Sequence, residues 1–116
     1  SMVLVMAVHE SPLAHPKNVL FGHIISAFSG VFIFAIFGFS SLSVGAGVGL
    51  AIFLMMATKT VHPPAGANPI IAILGAKGAS FIIIPVAAGA LFIVLFAIIF
   101  NKLLNRKYFT FKDLKH

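Results

Sequence analysis

The sequence predicts an all-helical membrane domain with three full transmembrane helices, one short re-entrant half-helix, and the end of another membrane segment at the N-terminus. Apolar residues make up 60 % of the 116 and charged residues only 9 %, where soluble domains carry roughly a quarter charged. The apolar residues run on with no polar face between them, so the solvent they suit is lipid. Several of these runs are long enough, at about 1.5 Å per helical residue, to cross a hydrocarbon core of roughly 30 Å. A single domain covers 1–116, with 105–116 as a basic juxtamembrane tail.

The opening SMVLVMAVHESP has the apolar run of a signal peptide but neither its charged start nor its cleavage site. It reads as the end of a membrane segment whose beginning is missing. The first full span is expected over Val19–Phe39, with Lys17 and Asn18 at its start. Gly22, Ser26 and Gly30 recur every four residues, a strip of small side chains that lets another helix come close. After the polar turn Ser40–Ser43, a second span runs from Val44 to about Val61, and Gly45 and Gly49 repeat the close-packing spacing. Pro63 and Pro64 should stop this helix near His62, because prolines lack an amide donor and push the preceding residue out of the helical region.

Pro69–Leu104 as a single helix would be roughly 54 Å long, too long for the bilayer. Gly75-Ala76-Lys77-Gly78 breaks it, leaving a half-helix over Pro69–Leu74 and a full span from about Ala79 to Leu104. Asn68 is placed to cap the half-helix, and Pro69 suits its first position. Pro85 removes a backbone bond and kinks the last span, as a hinge or as a tolerated membrane proline. A weak repeat relates Ser1–Val8 to Asn68–Gly75 and Ser29–Phe37 to Ala88–Phe96. Paired short segments of this kind point to a transport site built from half-helices.

The net charge of +6 does not point to nucleic acid, since five of the eight basic residues, Lys102, Arg106, Lys107, Lys112 and Lys115, lie in the last stretch. Such a tail stays cytoplasmic. Counting crossings back from it places His9, Glu10, His15, Lys17, Lys59, His62 and Lys77 on the opposite side. The membrane expected is a bacterial inner membrane.

Chemistry concentrates in Thr58–Pro69, where three prolines, Lys59, His62 and Asn68 lie between two apolar runs. Irregular backbone at membrane depth persists only where protein or a water-filled cavity satisfies it. Lys59 and His62, three residues apart, are expected on one helix face. A half-helix N-terminus presents free amides and a partial positive charge, which suits a small anion. Lys59 is thus a ligand or a snorkelling lysine, and His62 a ligand or a helix-ending residue bonded to a carbonyl. His23 reads as a structurally satisfied histidine, and Glu10 as a partner for His9, His15 or Lys17.

The His62-Pro63-Pro64 triplet resembles the signature of the HPP integral membrane family. Further matches are Ser11-Pro12-Leu13-Ala14-His15-Pro16-Lys17-Asn18, Gly22-His23, and Thr60-Val61-His62-Pro63-Pro64-Ala65-Gly66-Ala67-Asn68, in the family's order. Glutamine is the expected residue at His15, and arginine is frequent at Lys17. The resemblance implies a fold of four membrane helices with the first absent here, and a link to nitrite transport in some members. Lys59, His62, Pro63, Pro64 and Asn68 are then the candidate substrate-binding residues, with His23, Lys17 and His15 as polar residues leading to the site or supporting it.

One glutamate, no aspartate outside the tail and no cysteine leave no catalytic set, and the histidine spacing matches no metal pattern. The expectation is therefore a non-enzymatic protein without cofactor or metal. Its expected partners are the lipid bilayer, a small inorganic anion and further copies of itself. The competing reading is a nonconducting membrane assembly or sensor module.

Overall fold

The computed structural model describes residues 1–106 and 108; the tail lysines Lys107, Lys112 and Lys115 lie outside the described residues. Five helices carry the chain: α1 (Met2–Ala7), α2 (Pro16–Phe37), α3 (Ser41–Ala57), α4 (Ala67–Leu74) and α5 (Ala88–Leu103). Short 3₁₀ turns cover Pro12–Ala14 and Pro63–Gly66, and a helical turn over Ile82–Ala87 leads into α5. The runs Pro16–Phe37 and Ile82–Leu103, 22 residues each, are long and apolar enough to cross a bilayer, while α3 is a shorter apolar helix of 17 residues. The described residues are all-helical, as their uninterrupted apolar runs predict.

Local chemistry sets the helix starts. Pro16 occupies the first position of α2, and the His15 ring nitrogen Nδ1 accepts the Lys17 amide at 3.0 Å, doing the work usually left to Ser or Asp. Gly38, at φ 70°, lets the chain leave α2, and Ser40 caps α3 by accepting the Ser43 amide at 3.0 Å. The two helices form an antiparallel hairpin. Its open end is tied by the Asn18 amide donating to the Val61 carbonyl at 2.7 Å.

The small-residue strip on α2 is filled from within the chain. A Cβ on Gly22 would sit 2.8 Å from the Thr60 carbonyl oxygen, and one on Gly30 would sit 2.6 Å from Pro69 Cα. Residue 60 and α4 therefore lie directly on α2. Gly47 of α3 meets Ile73 and Pro69 from the other side, whereas Gly45 and Gly49 have nothing within 4 Å.

Three helix ends share a device that the sequence hid. At the end of α3 the Thr60 amide reaches back to the Met55 carbonyl at 2.9 Å and the Lys59 amide to Met56 at 3.3 Å, with Lys59 at φ 57°. This is a Schellman ending with lysine in the left-handed position that glycine normally takes. The same pattern closes α4 around Ala76 (φ 50°) and α5 around Asn105 (φ 55°). Hence α3 stops at Ala57, before Pro63 and Pro64 can act, and Lys59 and His62 do not share a helix face. Lys59 is exposed; His62 follows on extended backbone and is fully buried.

Two further expectations are corrected. The helix α4 begins at Ala67 with Gly66 as its cap, so Asn68 is not a capping residue and Pro69 is not the first position. The loop after α1 lies beside the end of α5, since the Arg106 Nη2 donates to the Met6 carbonyl and the Tyr108 hydroxyl to Ala14, each at 2.7 Å. His9–Lys17 and Lys59 therefore share the end at which α5 finishes, not the opposite one. The segment from Thr60 through α4 continues along α2 toward the far end instead of returning, and only Lys77 among the described basic residues follows it there. The expected kink is present: Ile84, just before Pro85, leaves helical geometry at φ −132°, ψ 121°.

The packing predicts opposite outcomes for two glycine substitutions in thermal unfolding of the detergent-solubilised protein. Gly30→Ala forces backbone apart and should destabilise by about 1–3 kcal/mol. Gly45→Ala meets open space within the chain and should stabilise the monomer by about 0.5–1 kcal/mol through helix propensity. Equal effects would contradict the placement of α4 on α2.

Candidate functional site

Ser1, just ahead of α1, and Asn68, in the first turn of α4, meet on one histidine. His23 lies about two turns into α2, and the Asn68 amide nitrogen approaches its Nδ1 at 2.8 Å while Ser1 Oγ approaches its Nε2 at 2.7 Å. Ser1 Oγ also contacts His62 Nε2 at 2.9 Å, and His62 Nδ1 contacts the Leu13 carbonyl at 2.8 Å. The two rings lie 5.1 Å apart between centroids, tilted by 58°. Ser1 precedes α1 without capping it, so its hydroxyl is committed to the histidines.

One carbonyl fixes the direction of every bond in this chain when both rings are uncharged. The Leu13 oxygen can only accept, so His62 carries its proton on Nδ1 and accepts on Nε2. Ser1 must then donate its single proton to His62, which leaves its oxygen to accept from His23 Nε2–H. His23 Nδ1 is thereby the acceptor for Asn68. The Asn68 orientation agrees, because the same nitrogen lies 3.4 Å from the His23 carbonyl and 2.9 Å from Ser26 Oγ, whose own proton goes to that carbonyl at 3.0 Å. Buried polar groups in a lipid-facing protein need such partners, and Asn68, Ser26 and His62 are all buried.

The cluster opens on a cavity of about 270 Å³ between α2, α4 and α5. His23 and Asn68 are its polar lining, and Ile71, Phe81, Val86 and Ile93 are among its apolar walls. At the other end of α1, fully buried Asn101 donates to the Val5 carbonyl at 3.2 Å and to Ala97 at 2.8 Å. Arg106 Nε donates to Asn101 Oδ1 at 2.9 Å. These groups cover the carbonyls that end α1. Burial of Tyr108 raises its phenol above the usual range, so it remains a donor to Ala14.

Of the residues anticipated from sequence, His62, Asn68 and His23 come together, and Pro63 and Pro64 form the 3₁₀ turn between His62 and α4. His15 caps α2 beside Lys17, Lys59 stands exposed at the end of α3, and Glu10 approaches His9 at 3.8 Å. Ser1, Asn101 and Arg106 were not anticipated as site or support residues. For Ser1 the signal was present in the repeat, which sets it opposite Asn68.

The model of the HPP transmembrane region matches residues 1–109. Two curated transmembrane proteins of Dictyostelium discoideum are similar to the chain. One is 33 % identical over 115 residues, covering 92 % of this chain and 40 % of the relative; the other is 38 % identical over 117 residues, covering 93 % and 38 %. The chain thus spans about two-fifths of the length of these relatives. No solved structure matches it.

Asn101→Leu removes the donors that hold α1 and should cost about 1–2 kcal/mol locally. Hydrogen exchange at the Val5 and Val8 amides is then expected to accelerate roughly tenfold. Exchange unchanged from the parent would mean that Asn101 does not secure α1.

Proposed function

The chain belongs to the HPP transmembrane family and is an integral membrane protein, and on that premise we propose that it moves a small inorganic anion, nitrite foremost, across the bilayer. The observation that carries the proposal is the cavity whose polar lining is His23 and Asn68 alone, set beside the first turn of α4. Its volume holds several waters at about 30 Å³ each, ample for a three-atom anion. The first turn of α4 contributes a partial positive charge, and the 2.8 Å bond between Asn68 and His23 is the one the anion would replace. His62, Pro63 and Pro64 form the break that turns α4 onto the cavity. Lys59 and Lys17, at the end of the bundle where α5 finishes, would draw anions toward that face.

Lys17, Lys59, Lys102 and Arg106 gather at one end, which in the positive-inside pattern is the cytoplasmic one; in a bacterial inner membrane the C-terminus would face the cytoplasm. The open Gly45/Gly49 face of α3 would seat a second copy in a homo-oligomer. A nonconducting assembly would need the same packing but no accessible polar lining, which is why transport is preferred.

Uptake of nitrite, nitrate and formate into proteoliposomes holding the full-length protein tests this, with and without a pH gradient. Nitrite uptake should exceed that of protein-free vesicles. Asn68→Ala and Pro69→Ala should lower uptake more than they lower expression, and His62→Gln should flatten its pH dependence. Lys59→Met should slow uptake about threefold to tenfold at low ionic strength and little at high salt. No anion entering above background would leave the nonconducting assembly in front.

A further inference from the structure

We propose that the chain of bonds from Asn68 through His23, Ser1 and His62 to the Leu13 carbonyl is a proton path, making the proton a second transported species beside the anion. The proposal takes its coupling partner from the anion reading above, but the path itself rests on separate geometry. The four links measure 2.8, 2.7, 2.9 and 2.8 Å, and all four donors point the same way. One end lies on the cavity, where His23 is part of the wall. The other lies at Leu13, 36 % exposed in the loop that also holds His9, Glu10 and His15. Both nitrogens of both rings are engaged in a single line, with one hydroxyl between the rings to pass a proton from one to the other.

The transfer balances without any redox partner. A proton from the cavity joins His23 Nδ1 as the Asn68 amide turns aside, and His23 Nε2 releases its proton to Ser1 Oγ. Ser1 passes its own hydroxyl proton to His62 Nε2, and His62 Nδ1 releases one to loop water beside the Leu13 carbonyl. One proton enters and one leaves, each N–H or O–H bond formed is matched by one broken, and both rings end neutral in the opposite tautomer. Rotation of the hydroxyl and rings then resets the line. Among the described residues the titratable groups of this pair face each other; Asn68 and Ser26, the neighbours from α4 and α2, carry no charge.

The test uses full-length protein in proteoliposomes enclosing a pH-sensitive dye, with labelled nitrite or nitrate outside and both proton and anion entry recorded. Protons should enter with the anion, several-fold faster than in protein-free vesicles. Ser1→Ala should slow proton entry roughly tenfold or more, since it deletes the central relay group, and Ser1→Thr, which keeps the hydroxyl, should restore it. That rescue separates loss of the relay from loss of folding. Anion uptake with proton entry at the protein-free level would overturn the proton path and leave the anion reading standing. Proton entry that responds to Ser1→Ala and Ser1→Thr as expected, with no uptake of either anion, would overturn the anion reading and support the path. Proton entry unaffected by Ser1→Ala, or absent with and without anions, would overturn the path.

Discussion

The structure depends on one histidine inside an apolar layer. His23 takes Asn68 at one ring edge and Ser1 at the other, so the first turn of α4 and the residue ahead of α1 are held to the same point of α2. A partner lost at this depth is costly. The glycines follow from this requirement. Only without side chains at 22 and 30 can the Thr60 backbone and Pro69 come near enough to α2 for His62 and Asn68 to reach their partners. Asn101 and Arg106 hold the opposite end of α1 and keep Ser1 aimed at the rings.

The line of bonds would join architecture to the transport proposed above. Its end at Asn68 and His23 borders the cavity, and its other end reaches the loop beside the basic end of the bundle. The same side chains that hold the short helices in place would therefore contact a solute and carry its proton. Such sharing gives the buried histidines a reason beyond packing, because an apolar pair of similar size could fill the same volume without the cost of burying polar atoms.

Much of this was legible in the residues. Uninterrupted apolar runs required helices, Gly75–Gly78 required a break, and Pro85 required a kink. The pairing of Ser1–Val8 with Asn68–Gly75 aligned Ser1 with Asn68, though it did not say that the two side chains converge. Three features were hidden for physical reasons. Left-handed helix ends usually announce themselves by glycine or asparagine, and Lys59 and Ala76 carry no such mark; reading α3 through to the prolines then put Lys59 and His62 wrongly on one face. The sidedness failed because α4 was taken to return to its starting side, whereas it runs on along α2. His23 looked like one buried polar residue among apolar ones, and its role depends on partners 22, 39 and 45 positions away, which no local pattern encodes.

The central claim, that one carbonyl sets the direction of the whole line, is open to direct measurement. Solid-state NMR of the full-length protein, labelled with ¹⁵N at histidine and placed in lipid bilayers above neutral pH, reports which ring nitrogen carries the proton. His62 should be protonated on Nδ1 and His23 on Nε2, with a through-space contact between His23 Nδ1 and the Asn68 side-chain amide. His62 protonated on Nε2, or His23 on Nδ1 in the resting protein, would contradict it.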